Sequence, residues 1–280
     1  MVEVKKTPDG IEIPPPSPDD VLYEKNEGVA KITLNRPTVL NAMNKNVQRL
    51  LYGYLEEAEA DDEVNVIILT GAGRAFSAGG DLYSYLYPDE DPAPSGTEVH
   101  MKVWELAKPV IAAVRGHAVG QGFELAGVCD MTIASEDAKF GEIQIRHGGT
   151  PPTLITPFLV GLKKAKEVLL LGAQISAEEA LAIGIVNRVV SSDSLESETE
   201  KIARRMASLP QATVRMDKML VNRAYKIAGI MEALAYREDS QISDILDGAH
   251  DDTEAADRRK VLSEGGWGAF KENRDVGYEK

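Results

Sequence analysis

Between Gly28 and Gly71 the chain spells out a strand, a helix and a second strand, and this unit constrains the fold more than any other feature. Apolar and polar residues alternate in Gly28–Leu34 (GVAKITL), the period of a half-buried strand, and Val64–Thr70 (VNVIILT) is a β-branched run stopped by Gly71. Asn44 is placed to cap a helix in which Val47, Leu50, Leu51, Tyr54, Leu55 and Ala58 recur at helical spacing. Pro109–Arg115 (PVIAAVR) and Val128–Ala134 (VCDMTIA) repeat the strand signal, and the GHAVGQGFELAG between them suits a tight turn feeding a short helix. Such alternation predicts an α/β fold, a parallel sheet with helices packed on it.

Further on, Ser176 followed by Glu179 is a capping-box pattern, Gly184 stands where that helix should stop, and Ile185–Val190 (IVNRVV) reads as a short strand. Beyond Ser191 the pattern turns helical, with a boundary near Pro210. No repeat occurs at solenoid periods. Pro14, Pro15, Pro16 and Pro18 rule out a helix through Ile11–Asp20, which reads as an extended arm, either disordered or packed. The acidic, aromatic and proline-bearing Tyr83–Val99 reads as a surface loop or lid. The chain therefore divides into a flexible N-terminal arm (1–20), a core (21–210) and a helical C-terminal region (211–280).

Composition narrows the function. The 31 Lys and Arg against 45 Asp and Glu give a net charge of −14, which opposes nucleic acid or an anionic lipid surface as partner. Cys129 is the single cysteine, so no intrachain disulfide forms and a reducing compartment fits. No apolar run approaches the ~18–20 residues needed to cross a bilayer, and the expectation is a cytoplasmic protein.

Several chemistries drop out on motif grounds. Gly71-Ala-Gly-Arg-Ala-Phe76 begins like a dinucleotide fingerprint, but Phe76 occupies the place of the third glycine. Neither a phosphate-binding P-loop nor a Gly-x-Ser-x-Gly elbow is present. His100, His117, His147 and His250 lack ligand spacing, which disfavours a metal site. Two glycine-bearing loops remain, Arg74-Ala-Phe-Ser-Ala-Gly-Gly-Asp81 and Gly116-His-Ala-Val-Gly-Gln-Gly-Phe-Glu124, each leaving the end of a predicted strand. Gly120 and Gly122 let a ligand approach the backbone, and the following helix directs its positive end there. Tight turns alone would also account for the glycines of either loop.

Together with Leu34-Asn-Arg-Pro-Thr-Val-Leu-Asn-Ala-Met43, Lys108-Pro-Val-Ile-Ala-Ala-Val-Arg115, Cys129-Asp130, Lys139-Phe-Gly141 and Ser176-Ala-Glu-Glu-Ala-Leu-Ala-Ile-Gly-Ile-Val186, these loops resemble the crotonase (enoyl-CoA hydratase/isomerase) superfamily over roughly Val21 to Val190. The resemblance implies a crotonase (ClpP-like) ββα spiral core followed by a C-terminal helical trimerisation region, in a homo-trimer or a hexamer built as a dimer of trimers. It implies an acyl-CoA substrate, with coenzyme A part of that substrate and no cofactor permanently bound. The N–H groups of Ala78 and Gln121 are then expected to hold the thioester oxygen, where two preorganised donors lower the barrier to an enolate by about 3–4 kcal/mol each. Arg36, Val39, Leu40, Ala42, Ser77, Asp81, Leu82 and Gly120 are expected along the coenzyme A and acyl path. Arg36 has an equal structural reading, in the Asn-Arg-Pro turn.

Glu124 matches the first of the two glutamates of typical hydratases, but the second position, twenty residues on, is Gln144. An amide holds water or a carbonyl but moves no proton at neutral pH. Glu142 and His147 are the nearby candidates to replace it, each with a structural alternative. Pro151 and Pro152 stiffen the Gly148–Thr153 turn and remove two N–H donors, which alters the acyl pocket. Trp267, Phe270 and Arg274 fall where the superfamily often closes the pocket, or they simply pack a helix. The expectation is thus an enoyl-CoA hydratase or isomerase with Glu124 as principal acid/base. A thioester or β-keto C–C bond hydrolase on the same fold, and a non-catalytic acyl-CoA-binding subunit, are the rivals.

Overall fold

The computed structural model describes residues 5–85, 92–239, 241–242, 244–246 and 253–277. Its strands, among the described residues, are β1 (Val21–Asn26), β2 (Val29–Leu34), β3 (Val66–Gly71), β4 (Val110–Val114), β5 (His117–Val119), β6 (Met131–Ser135), β7 (Lys139–Gly141), β8 (Ile175–Ser176) and β9 (Arg188–Val190). Six form one sheet in the order β1-β2-β3-β4-β6-β9, and β5-β7-β8 form a smaller one. In the large sheet β1 and β2 are an antiparallel hairpin turning at Glu27 and Gly28, and every other pairing is parallel. This is the mixed α/β architecture expected from the alternation of strands and helices.

The helices are α1 (Lys45–Ala60), α2 (Gly96–Glu105), α3 (Gln121–Val128), α4 (Thr156–Leu171), α5 (Ala177–Ala182), α6 (Leu195–Ala207), α7 (Gln211–Ile227), α8 (Ile230–Leu234) and α9 (Thr253–Arg274). Asn44 caps α1 through its side chain, which accepts from the Val47 N–H at 2.9 Å. Ser176 caps α5 by accepting from the Glu179 N–H, but the Glu179 carboxylate is paired with Lys164 at 2.7 Å. The capping box read at Ser176 is therefore half used.

Because the central strands alternate faces, the sheet is apolar on both sides. Ile67, Leu69, Val110 and Ala112 are buried in the main core with Leu51 and Leu55 of α1, Val99 and Val103 of α2 and Phe123 of α3. Val66, Ile68, Ile111 and Ile133 face the opposite way, against Leu195 and Ala203 of α6. Each such fully buried large aliphatic side chain contributes about 1.5–3 kcal/mol. The two glycine-bearing loops leave this core at the carboxyl ends of β3 and β4.

Two elements differ from the sequence reading. His117–Val119 is a strand and not a turn, paired in parallel with Lys139–Gly141. The segment read as a loop from Tyr83 to Val99 enters a helix at Gly96, because Ser95 and Glu98 form a reciprocal capping box; residues 86–91 of it lie outside the described residues. Near the N-terminus, Lys6 and Glu12 form an antiparallel bridge, and Asp9 Oδ2 accepts the Gly268 N–H at 2.9 Å, so this segment lies against α9. Pro18–Asp20 is a short 3-10 turn capped by Ser17, with proline at the position where its missing N–H is harmless. Pro210 separates α6 from α7. No helix among the described residues is long and apolar enough to cross a membrane.

Candidate active site

The two glycine loops meet. Ser77 pairs with Ala118, its N–H donating to His117 O at 2.9 Å and its carbonyl accepting from Val119 N at 3.1 Å. Gly79 has φ of +92°, and a Cβ on it would stand 2.7 Å from Val119 O and 3.3 Å from Gln121 N, so only glycine fits there. Asn41 braces the first loop from behind: it is buried, its amide nitrogen donates to Ala72 O at 2.9 Å and Ala75 O at 2.7 Å, and its amide oxygen accepts from Arg36 N at 2.9 Å.

Which backbone donors face the gap is decided by what consumes the others. The Ala78 N–H donates to Leu40 O at 2.8 Å, so the expectation of Ala78 as an oxyanion donor is corrected. Leu40 sits at φ of +52°, in the left-handed region, with its carbonyl on that N–H. The Gly79 N–H is taken by Ser77 Oγ at 3.1 Å. The Gly80 N–H has no partner among the described residues, and neither has that of Gln121, the first residue of α3. Gly80 is exposed, and Gln121 Oε1 would lie only 3.4 Å from a Cβ on it. The Gln121 side chain runs past Gly80 toward Gly96, leaving its backbone donor at the helix start.

One helical turn after Gln121, Glu124 is wholly buried. Its Oε2 accepts the Thr153 N–H at 2.8 Å and lies 3.6 Å from His100 Nδ1, which is 2.7 Å from Thr153 Oγ1. Its Oε1 accepts from Gln144 Nε2 at 3.2 Å, and the same amide nitrogen donates to Glu142 Oε2 at 2.8 Å. Glu142 is also wholly buried, with Oε1 accepting from Thr156 Oγ1 at 2.8 Å. Burial, and next the charge of Glu142, push the Glu124 carboxyl well above the usual carboxylate range. Burial raises Glu142 as well. His100, in contrast, is pushed down to about 3 by burial and is neutral. Gln144 Oε1 has no hydrogen-bond partner among the described residues and lies 3.4 Å from where a Gly120 Cβ would stand, on the side of the second loop.

Two N–H groups without a partner among the described residues, with a buried glutamate one helical turn after Gln121, are a geometry that can serve enolate chemistry, and the comparisons with known proteins give the family. The family described as Enoyl-CoA hydratase/isomerase matches residues 24–280. The chain belongs to the enoyl-CoA hydratase/isomerase family. It is 36% identical to the short-chain-enoyl-CoA hydratase of Clostridium acetobutylicum over 230 residues, covering 79% of this chain and 88% of that protein. The crotonyl-CoA hydratase of Syntrophomonas wolfei is 38% identical over 213 residues, 73% of this chain and 82% of the relative. Among solved structures, an enoyl-CoA hydratase/isomerase from Xanthobacter autotrophicus Py2 superimposes with a TM-score of 0.85 at 36% identity, covering 93% of this chain and 99% of that one.

Several residues expected to line the coenzyme A path are turned elsewhere. Of the two readings of Arg36 the geometry favours the structural one: its guanidinium is buried, donating to Ala42 O at 2.6 Å and pairing with Asp81 Oδ2 at 2.8 Å. Asp81 is accordingly a structural partner, and its Oδ1 accepts the Tyr83 N–H at 3.1 Å. Ser77 is likewise internal, its hydroxyl donating to Asn41 O at 2.8 Å. Val39, Leu40, Ala42, Ala78 and Leu82 are half-buried, while Gly120 is buried between the loops with its N–H on Gly141 O at 2.8 Å.

His147 does not join Glu124. Its ring packs on Phe270 of α9 with 6.1 Å between centroids, and burial, then the Arg274 charge, lowers it to about 4. Trp267 and Phe270 stack at 5.6 Å, with the Arg274 guanidinium over both rings, so this cluster packs α9 onto the turn that carries Gln144 and His147. The residues that sequence reasoning missed are Asn41, His100, Thr153 and Thr156. Asn41 and Thr153 lay inside segments singled out in the sequence, but no spacing rule joins His100, Thr153 or Thr156 to Glu124.

Proposed function

We propose that this enzyme hydrates or isomerises the double bond of an enoyl-CoA thioester, with the thioester oxygen between the N–H groups of Gly80 and Gln121 and Glu124 moving the proton. The observation that carries the reading is the pair of partnerless N–H groups on touching loops, one helical turn from a buried carboxylate whose affinity for protons is raised. In hydration the water oxygen bonds to the β-carbon, and the double-bond electrons move toward the α-carbon and the thioester oxygen. Glu124 accepts the proton that water loses and delivers it to the α-carbon, so one proton enters and one leaves. In isomerisation Glu124 takes a proton from the α-carbon and returns it at the γ-carbon. Either route places negative charge on the thioester oxygen, where each donor contributes about 3–4 kcal/mol.

Gln144 replaces a proton-transferring group with an acceptor. Its free Oε1, on the Gly120 side, is suited to hold the attacking water while Glu124 does the acid–base work. The half-buried Val39, Leu40, Ala42 and Leu82 supply the rim for pantetheine and adenine. The names of the Clostridium and Syntrophomonas relatives favour a short acyl chain. The helix α7 has no buried residue and exposes Met216, Met219, Leu220 and Val221, which supports assembly with further copies as a trimer or a dimer of trimers.

Incubation with crotonyl-CoA tests the reading directly. Loss of the enoyl absorbance without release of free thiol is the expected result. Thiol release would instead mark a thioester hydrolase, and tight binding without turnover across a panel of enoyl thioesters would mark a binding subunit.

A further inference from the structure

The site contains a second buried carboxylate that the one-glutamate reading does not use. Glu142 lies two residues before Gln144 and is wholly buried, as is Glu124, and one amide nitrogen donates to both carboxylates, at 2.8 Å and 3.2 Å. We propose that Glu142 is a positioning residue of the active site, which clamps the Gln144 amide with its oxygen toward the Gly120 loop and shares a single negative charge with Glu124. The inference rests on the enoyl-CoA reading of the same site.

The orientation of Gln144 follows from the chemistry of its neighbours. Two carboxylate oxygens demand donors, so the amide NH2 must face them, and the amide oxygen is then forced to the other side. That oxygen is the partnerless one beside Gly120, on a side chain only 8% exposed. Without Glu142 only the longer bond to Glu124, at 3.2 Å, would hold the amide against turning to offer a donor to the cleft.

The shared charge follows from what surrounds the pair. From α2, His100 is neutral; from the loop before α4, Thr153 offers its N–H to Glu124; from α4, Thr156 offers its hydroxyl to Glu142. Arg237, in the 3-10 turn after α8, is the cation that acts on Glu124, and its guanidinium is spent on Thr150 O at 3.1 Å and on Thr150 Oγ1 at 2.6 Å. Two adjacent buried carboxylates with so little positive charge nearby hold one proton between them at neutral pH. When the proton sits on Glu142, Glu124 is a base; when it sits on Glu124, it is an acid. A second carboxylate thus serves the site from position 142 while position 144 carries an amide.

The test uses the whole 280-residue chain and its variants Glu142→Gln and Thr156→Val. Removing the neighbouring charge releases Glu124 to ionise more easily, so the acidic limb of kcat/KM for crotonyl-CoA should move down by about one pH unit or more in Glu142→Gln. In Thr156→Val, which removes a hydrogen bond that favours ionised Glu142, the limb should move the same way by less. The infrared band of the buried carboxylic acid, titrated in the same three proteins, should shift in parallel and requires no turnover. A purely structural Glu142 would change the rate at every pH and leave limb and band in place, which overturns the proposal. A shifted band with no turnover on any enoyl thioester would instead sink the functional reading and leave the pair standing. Should Glu142→Gln fail to fold, Thr156→Val retains both carboxylates and decides the matter through the band.

Discussion

The Ala78 N–H points at the Leu40 carbonyl and not at the cleft, over 2.8 Å, and that bond moves the free donor of the first loop two residues on, to Gly80. The neighbouring bridge bonds run from Met43 N to Gly79 O and from Asp81 N to Met43 O, so they leave Gly80 N unused. Gly80→Pro therefore deletes one donor without breaking a bond of the fold. Hydration turnover should fall about 10²–10³-fold, the scale of a lost oxyanion donor, with coenzyme A affinity retained. Gly80→Ala keeps the N–H and adds only an ordinary contact with Gln121 Oε1, and it should keep most of the activity. Equal losses in the two variants would remove Gly80 from the hole.

Glu124→Gln preserves the shape of the side chain and removes the carboxylate proposed to move the proton. Turnover should drop about 10²–10⁴-fold, as for other general acid–base groups, while the variant still binds an acyl-CoA. Wild-type rates in this variant would mean that another group moves the proton.

Arg36 and Asp81 form an ion pair in which both side chains are almost fully buried, immediately beside Gly80. Arg36→Met leaves the Asp81 carboxylate in the interior without its cation, a loss of about 3–5 kcal/mol. Chemical denaturation should show a lower midpoint, and activity should fall with it because Asp81 anchors the end of the loop that carries Gly80. An unchanged midpoint would mean that Asp81 is held by other partners.

The fold was legible where a repeating pattern carries it. Val66–Gly71 and Val110–Val114 are apolar on both faces and bounded by turn residues, and the Asn44 cap fixes the start of α1. His117–Val119 is too short to show a period, and its pairing with Lys139–Gly141 is a tertiary fact. The glycines marked where two loops approach something, but not which N–H stays free, since that depends on a Leu40 carbonyl 38 residues before Ala78 in the sequence. The same distance in sequence hid the surroundings of Glu124. His100 comes from α2, and Thr153 and Thr156 from the stretch that leads into α4, and none has a spacing that announces the contact. Arg36 stayed open between two readings for a simpler reason: a surface arginine and a buried one look alike until Asp81 and Ala42 are seen around it.

The buried carboxylates also set how stability depends on pH. Glu124 and Glu142 hold protons more tightly in the folded chain than the ordinary value of 4.5, so above that pH the folded state binds more protons than the unfolded one. Their contribution is fully present below 4.5 and is lost as the pH rises through the raised values. His100 works in the opposite sense. Lowered from 6.5 to about 3, it stays neutral while the unfolded chain takes up a proton, so its effect destabilises the fold as pH falls below 6.5 and vanishes above it. Above about pH 6.5 the carboxylate pair is left to act, and wild-type stability should decline as pH rises. Glu142→Gln removes one of the two carboxylates and the repulsion between them, so its stability curve should fall less steeply there. The variant should gain on the wild type with each step from pH 6 through 7 to 8 in urea titrations. Parallel curves across that range would show that the two carboxylates do not compete for one proton.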